Sequence, residues 1–378
     1  MKGPSRQPRH GVAAAGAKAA VFTVNGPSRA LCAVHPAHPT LHVFACAGVR
    51  EGQPIHFLAY DDDLVSITSS APSLSGAARH IWSLSSSAHA PRALLVTRSG
   101  KGQPASDAQV AIASFGIDYT DTAVTVSSVD ETVVLPSHSS PISHASYASS
   151  DTVITMDNEC ARTWHVDRAM SAPTLDQGAV FGVLKGAQGG LRAGAVDPVV
   201  ANQFLAASMF DVHVWDVRQP SSKEDAVRIQ RAHPYPIRDL DVNPNRPHHI
   251  VTAGEDSSIR FWDLRRPDSP LLALQGHSHW VWTVNYNQLH DQLVLSTSSD
   301  CSVRLWNAQS VSSSPSSDNG MEGGETPNRL LETLAHHEDS VYAASWSSTD
   351  AWVFASLSYD GHAVINQVPQ SEKYRILL

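Results

Sequence analysis

The sequence is short of the features that mark secreted, membrane-spanning and nucleic-acid-binding proteins. Its 378 residues include four cysteines with no Cys-x-x-Cys pair, so neither a disulfide framework nor a zinc site is indicated. No apolar run approaches the ~18 residues that span a bilayer. No long basic run offsets the net charge of −9, which argues against nucleic acid as the main partner. We expect a cytoplasmic globular protein without an integral membrane segment, whose membrane contact is peripheral.

Motifs for catalysis and cofactor binding are missing as well. There is no Gly-x-Ser-x-Gly, no His-Glu-x-x-His and no Walker-type glycine loop. The histidine pairs at residues 35 and 38 and at residues 248 and 249 lack the supporting Cys or acidic set that a metal ion needs. We therefore predict no catalytic residue, no cofactor and no metal site, and a protein that is not an enzyme.

Two segments have compositions that do not favour a packed core. Residues 1–18 form part of an acid-free stretch that ends before Glu51. We expect a disordered leader there, with a targeting segment as the alternative. Residues 309–329 are polar and rich in Gly, Ser and Pro, which predicts a flexible insertion. Its serines serve either as phosphorylation sites or as part of a spacer.

The second half of the chain contains an internal repeat. Three segments align without a gap over ten residues, beginning HPYPI, HSHWV and HEDSV. In each, a His is followed four residues later by Val or Ile and then by the alternation of a half-buried strand. A second strand then ends in Asp, and in two of the three segments a third strand carries a Trp. Repeats of this length indicate stacked units of one supersecondary structure.

These positions resemble the WD40 repeat. The resemblance implies that a His, a Ser or Thr, an Asp and a Trp form a hydrogen-bonded chain in each blade, here called a tetrad. A buried indole N–H and a buried hydroxyl both need partners, which such a chain provides. The candidate tetrads are His233, Thr252, Asp256 and Trp262, then His277, Ser296, Asp300 and Trp306, and finally His337, Ser356 and Asp360, with Asn366 in place of the Trp.

We therefore predict an all-β protein, a single seven-bladed WD40 β-propeller over residues 19–378. Successive Trp residues from Trp164 to Trp306 are 51, 47 and 44 residues apart, which is about one blade each. Six blades remain an alternative, because the N-terminal half shows only strand pattern, with His138 opening one repeat. The last three blades are placed at about 230–272, 273–308 and 333–370. The run Val21–Asn25 is the candidate strand that completes the last blade.

The binding surface is expected on loops, because the strands are committed to packing. The His entry and the Asp turn share one rim of the disc. The candidate protein-binding rim comprises Glu255, His279, Trp280, Ser299 and Tyr359. An exposed Trp is a common interface anchor, although Trp280 could instead fold down over the neighbouring blade.

A narrower resemblance covers roughly residues 230–378. The runs IRDLDVNPN, HSHWVWTVNYNQLHDQL and HEDSVYAASWSSTDAWVFASLSYDG and the ending KYRILL are similar to the EARP and GARP complex-interacting protein family. This implies a non-catalytic, monomeric scaffold that binds the EARP and GARP tethering complexes and is recruited peripherally to the trans-Golgi network and endosomes. There it would support endosomal recycling and endosome-to-trans-Golgi retrograde transport.

A second reading rests on the runs WDVR, at residues 215–218, and WDLR, at residues 262–265. They are similar to the WDxR box through which some WD-repeat proteins dock to the adaptor of a cullin-type ubiquitin ligase. The alternative is therefore a ligase substrate receptor. Trp-Asp is also part of the repeat itself, so the box is a weak signal.

Overall fold

The computed structural model describes residues 19–24, 26–34, 41–49, 54–61, 66–70, 80–86, 92–98, 109–120, 123–135, 140–165, 179–183, 190–219, 227–314 and 328–378. The predicted leader at residues 1–18 lies outside this set, as do His138 and residues 315–327 of the predicted insertion.

Strands make up nearly all of the regular structure. In the described part of the chain, 28 strands form seven four-stranded antiparallel sheets, numbered here in chain order. Sheet 1 contains β2 Ser28–Val34, β3 Leu41–Gly48, β4 Ile55–Asp61 and β5 Ser66–Ser70. Sheet 2 contains β6 His80–Ser86, β7 Arg92–Arg98, β8 Gln109–Thr120 and β9 Ala123–Leu135. Sheet 3 contains β10 His144–Tyr147, β11 Thr152–Met156, β12 Cys160–His165 and β13 Ala179–Val183.

The other sheets follow the same order. Sheet 4 contains β14 Ala193–Val196, β15 Gln203–Ala207, β16 Val212–Asp216 and β17 Val227–Ile229. Sheet 5 contains β18 Ile237–Val242, β19 His249–Gly254, β20 Ser258–Asp263 and β21 Leu272–Gln275. Sheet 6 contains β22 Val281–Tyr286, β23 Leu293–Ser298, β24 Val303–Ala308 and β25 Asn328–Leu334. Sheet 7 contains β26 Val341–Trp346, β27 Val353–Ser358, β28 His362–Gln367 and β1 Ala20–Thr23.

The sheets pack against one another through their apolar faces. The second strands of sheets 5, 6 and 7 are buried along their whole length, as strands between two packed neighbours require. Each core cluster combines two adjoining sheets: Val251 and Phe261 of sheet 5, for example, pack with Val284 and Trp306 of sheet 6. The first strand of every sheet contacts the first strand of the next, and β26 contacts β2. These contacts run in a closed circle.

The strand nearest the N-terminus completes the sheet nearest the C-terminus. β1 pairs antiparallel with β28, with Val21 opposite Val364, which confirms the strand proposed from the run at residues 21–25 as far as Thr23. The adjoining turn depends on Gly361, whose φ is +88°, and a Cβ there would lie 2.4 Å from the carbonyl oxygen of Val24. Pairing both ends of the chain in one sheet removes an exposed edge.

The strand boundaries differ from the sequence prediction around the insertion. The fourth strand of sheet 6, β25, comes after the insertion and pairs with β24, whereas the predicted blade ended at residue 308. The predicted last blade, 333–370, begins inside β25, and β21 runs to Gln275, beyond residue 272. A long loop within a sheet is tolerated because its closure entropy grows slowly with length. The insertion also begins with an ordered 3₁₀ turn, Gln309–Val311, in which Val311 is buried.

A short helix follows the last strand. Residues Gln370–Leu377 form α1, which the sequence analysis did not predict. Arg329 of β25 forms an ion pair with Glu372, and Lys373 lies 5.3 Å from the ring centre of Trp352. The helix is thereby held against sheets 6 and 7, at the ends of their strands opposite the Asp turns.

Candidate functional site

The tetrad of sheet 5 is a continuous hydrogen-bonded chain. The Trp262 indole N–H donates to Thr252 Oγ1 at 3.0 Å, and Thr252 Oγ1 lies 2.8 Å from His233 Nε2. His233 Nδ1 is 3.0 Å from both carboxylate oxygens of Asp256. One assignment satisfies every group: the hydroxyl donates to Nε2, and Nδ1–H donates to the carboxylate. Burial lowers the pKa of His233, which favours this neutral ring.

Sheet 6 repeats the arrangement. Trp306 donates to Ser296 Oγ at 2.8 Å, Ser296 Oγ lies 2.7 Å from His277 Nε2, and His277 Nδ1 lies 2.9 Å from Asp300. Asp300 also accepts the backbone N–H of Ser278 at 3.0 Å. The residues of both predicted tetrads are thus brought together, and they anchor the start of each first strand to the turn after the second.

Sheet 7 keeps only part of this chain. His337 Nε2 lies 2.8 Å from Ser356 Oγ, but His337 Nδ1 has no hydrogen-bond partner among the described residues. Asp360 instead accepts from the Ser358 hydroxyl and from the His362 backbone N–H. Burial lowers the pKa of His337 to about 4. The structure therefore does not form the His–Asp pair that the repeat suggests for this blade.

Sheet 3 contains a partial tetrad that the sequence analysis missed. Trp164 donates to Thr155 Oγ1 at 2.7 Å, and Asp157 caps the following turn by accepting the backbone N–H groups of Glu159 and Cys160. The hydroxyl precedes the Trp by nine residues here and by ten in sheets 5 and 6. A search at the shorter spacing would have found it.

A central cavity of about 440 Å³ lies at the end of the first strands where the Asp turns gather. Residues from all seven sheets line it. Five large side chains dominate this opening, here called the channel mouth: Arg29, Arg192, Arg238, Trp282 and Tyr342.

Aromatic rings form a continuous row along the mouth. The ring centres of Trp280 and Trp282 are 6.0 Å apart, those of Trp282 and Tyr342 are 4.7 Å apart, and those of Tyr342 and Tyr359 are 5.7 Å apart. The Arg238 guanidinium lies 4.9 Å from the Trp280 ring centre and 4.6 Å from that of Trp282. Cation–π contacts of this kind hold both the rings and the guanidinium in place.

Arg29 makes the same kind of contact with Trp282 and Tyr342. Its guanidinium lies 5.6 Å from the Trp282 ring centre and 4.9 Å from that of Tyr342. The two arginines therefore flank one indole, and sheets 1, 5, 6 and 7 all contribute to one surface.

The structure places all five predicted rim residues beside this row. Trp280 is 37% exposed and Tyr359 is 41% exposed, and His279 lies against Trp280 with 5.2 Å between ring centres. Ser299 accepts the Trp282 indole N–H at 2.6 Å. Glu255 points inward as the ion-pair partner of Arg238. Trp280 packs against Arg238 of the neighbouring sheet and against Trp282, and it remains partly exposed.

Sequence reasoning missed the channel-mouth arginines and Tyr342. A signal was present in the aligned repeats, because Arg238, Trp282 and Tyr342 occupy the same column, directly after the Ile or Val that begins the first strand of each repeat. This alignment position holds an arginine in one repeat and aromatic residues in the other two, so the sequence alone shows no shared chemistry. The shared location becomes clear only when the circle of sheets places all three side chains around one opening.

The arginines of both WDxR runs are engaged within their own run. Arg218 Nη2 lies 2.7 Å from Asp216, and Arg265 Nη2 lies 2.8 Å from Asp263. The hydrogen bonds from these arginines lower the pKa of each Asp to about 2.

Within the described residues, no group of three or more His, Cys, Asp or Glu side chains could hold a metal ion. No helix in the described part of the chain is long and apolar enough to cross a membrane.

Comparison with known proteins places the chain among propellers. The family model described as EIPR1 beta-propeller matches residues 16–306, and the WD domain, G-beta repeat model matches residues 328–365. The chain is 43% identical over 190 residues to EARP and GARP complex-interacting protein 1 of Rattus norvegicus, which covers 47% of this chain and 48% of the relative. It is likewise 43% identical over 191 residues to the protein of that name in Homo sapiens, covering 47% of this chain and 49% of the relative.

A plant relative is also similar. The chain is 34% identical over 221 residues to the WD repeat-containing protein DWA2 of Arabidopsis thaliana, covering 58% of this chain and 60% of the relative. The matches to the rat and human proteins span about half of their length.

Proposed function

This chain belongs to the EIPR1 beta-propeller family, and on that premise we propose that it is a non-catalytic scaffold that binds EARP- and GARP-type tethering complexes. The names of the rat and human relatives, which describe them as interacting with these complexes, support the choice of partner. In this role the protein would be cytoplasmic and monomeric, and its partners would hold it peripherally at the trans-Golgi network and endosomes. It would support endosomal recycling and retrograde transport.

We assign the seven sheets as the blades of one seven-bladed propeller. The closed circle of contacts among the first strands supports this count, and so does the pairing of β1 with β28. A closed ring holds its inner strands rigidly, so side chains at the channel mouth keep their positions without a ligand. Rigid presentation lowers the entropic cost of binding a partner.

The observation that carries the proposal is the aromatic and cationic surface at the channel mouth. Trp, Tyr and Arg are the residue types most enriched at binding hot spots. Here Trp280 and Tyr359 remain more than one third exposed, while Arg238 contacts the Trp282 ring and Arg29 contacts the Tyr342 ring. Preorganised, partly exposed aromatics beside a recess provide anchors for a protein partner.

Affinity purification of the tagged full chain from cells, followed by mass spectrometry, tests the proposal. We expect subunits of the EARP and GARP complexes among the recovered proteins. Recovery of a cullin-ligase adaptor without those subunits would instead favour the ligase-receptor reading and contradict the proposal.

Trp280→Ala is expected to weaken partner binding while leaving the fold intact. Truncating an anchor of this kind costs about 2 kcal/mol of binding, or roughly thirtyfold in affinity. Because Trp280 is 37% exposed, the free energy of unfolding should change by less than about 1 kcal/mol. Binding of the purified complex and the thermal unfolding midpoint measure the two effects separately.

The matched control is Tyr374→Ala in α1. Tyr374 is 60% exposed and lies on the helix at the opposite ends of the strands, so its removal should leave complex binding unchanged. If Trp280→Ala lowers the unfolding midpoint sharply, Trp280 serves packing and the rim assignment is wrong.

A further inference from the structure

The channel mouth reverses the sign of the protein's charge. The chain as a whole has a net charge of −9, yet three arginines converge on this opening. Two carboxyl groups lie beside them: Glu255 contacts Arg238 and lies 3.9 Å from Arg192, and Asp239 lines the same opening, where burial raises its pKa to about 8. Burial and the neighbouring Arg238 lower the pKa of Arg192, as expected where cations crowd together.

The donors of these arginines are not all used. Arg238 Nε is buried and makes no hydrogen bond to any described residue. Among the described residues, the Arg192 guanidinium makes one polar contact, at 3.9 Å with Glu255, and the side chain is 32% exposed. A guanidinium carries five N–H donors in a planar fork, and buried donors without partners are costly. The partly exposed Arg192 guanidinium therefore presents unfilled donors next to the recess, beside the positive charge of Arg238.

We infer that the channel mouth binds a carboxylate side chain from an acidic segment of a partner protein, received between Arg192 and Arg238. This inference rests on the proposed function, because it names the chemistry by which the bound complex would be recognised. A cavity of about 440 Å³ holds one or two side chains, and the exposed Trp280 and Tyr359 would cover the adjacent backbone of the segment.

Glu255 indicates which kind of anion the guanidinium groups of Arg192 and Arg238 bind. A carboxylate already rests against Arg238 and Arg192, and planar guanidinium groups pair with carboxylates through two parallel hydrogen bonds. Nucleic acid is disfavoured, because its extended line of phosphates would meet a molecule of net charge −9. A single carboxylate in a recess avoids that long-range repulsion.

Fluorescence anisotropy with two labelled peptides tests the inference on the full chain. In the first peptide Glu alternates with Gly, and in the second Gln replaces every Glu. We expect the acidic peptide to bind at least about tenfold more tightly, since hydrogen bonds to charged groups are the stronger kind. Its affinity should fall as salt is added.

Arg192→Gln should weaken binding of the acidic peptide about tenfold, and Arg265→Gln is the matched control. Arg265 is a 61% exposed arginine outside the mouth, so its substitution changes the net charge equally without touching the site. Glu255→Gln removes the internal competitor and should tighten binding. Because Glu255→Gln is expected to increase the affinity, a fall in its affinity would contradict the inference even if Arg192→Gln folds poorly.

The outcomes separate the inference from the proposed function. Equal binding of both peptides, with the complexes still recovered from cells, overturns the inference and leaves the function standing. Selective binding that Arg192→Gln abolishes, with no complex recovered from cells, supports the inferred chemistry and contradicts the function. Tighter binding of a phosphoserine peptide of matched length overturns the assignment to a carboxylate.

Discussion

Asp256→Ala is expected to lower the free energy of unfolding by about 3 kcal/mol, because it leaves buried donors without a partner. Asp256 accepts from His233 Nδ1 at 3.0 Å and from the Ser258 backbone N–H at 3.1 Å, and it pairs with Arg260. The His233 side chain is fully buried, so its Nδ1–H would lose its partner away from bulk water. Urea unfolding at pH 7, followed by tryptophan fluorescence, measures the loss.

The pH dependence of the same effect has a defined sign. The pKa of Asp256 lies below its ordinary value, because hydrogen bonds from His233 and Ser258 outweigh the opposing effect of burial. A depressed folded-state pKa stabilises the protein above the unfolded pKa of about 4, and that contribution is lost as the pH falls. The difference between wild type and Asp256→Ala should therefore shrink in acid.

Asp360→Ala is the matched control in sheet 7. Asp360 stands at the same place in its repeat but makes no bond to His337, whose Nδ1 is already without a partner among the described residues. Asp360→Ala should lower the free energy of unfolding by less than half as much as Asp256→Ala does. Equal losses for the two variants would show that the carboxylate stabilises only its own turn, and the tetrad argument would be wrong.

Sheets 5 and 6 show how much of the fold a sequence can predict. Each tetrad requires four residue types at set spacings, because every one of the four side chains has a single position in the hydrogen-bonded chain. In the structure, His233 and His277 each contact the hydroxyl and the carboxylate of their own repeat. In sheet 7 Asn366 replaces the indole donor, Asp360 bonds to Ser358 and His362, and His337 Nδ1 has no partner among the described residues.

The channel mouth shows where sequence reasoning stops. Arg29 and Arg192 lie far from Trp282 in the chain and belong to sheets without a complete tetrad. Only the closed circle of sheets brings them within reach of one another. The exposed Trp280 was predicted because it stands in a loop next to a recognised entry motif, whereas neither Arg29, inside β2, nor Arg192, directly before β14, stands next to such a motif. β25 was missed for a related reason, since the insertion interrupts the rhythm of the blade.

Two aspartates of β18 join sheet 5 to sheet 6. Asp239 Oδ2 accepts the backbone N–H of Val284 at 3.0 Å, and Asp241 Oδ2 accepts that of Tyr286 at 2.8 Å. Both carboxyl groups accept backbone N–H groups of β22. Because β22 is the innermost strand of its sheet, these N–H groups have no neighbouring strand of the sheet to pair with. Buried backbone donors need such partners. The cost is that two carboxyl groups are held close together away from bulk water.

This arrangement predicts that the protein loses stability as the pH rises from about 4 to about 8. Burial raises the pKa of Asp239 to about 8 and that of Asp241 to about 7. A folded-state pKa above the unfolded value of 3.8 means that the carboxyl group stays protonated to a higher pH in the folded protein than in the unfolded chain. The stabilisation is complete below pH 4 and is lost as the pH rises through the folded pKa. Each group contributes at most about 1.4 kcal/mol per pH unit to the slope.

Asp239→Asn separates this effect from all others, because its amide oxygen still accepts from Val284 and has no proton to lose. We expect a flatter decline with pH and a higher unfolding midpoint than wild type at pH 8. Asp268→Asn removes the same charge at an exposed turn and should leave the wild-type slope unchanged. If the free energy of unfolding of Asp239→Asn fell with pH as steeply as that of wild type, Asp239 would have the same pKa in the folded and unfolded states. In that case the bond to Val284 would stabilise the carboxylate enough to offset its burial.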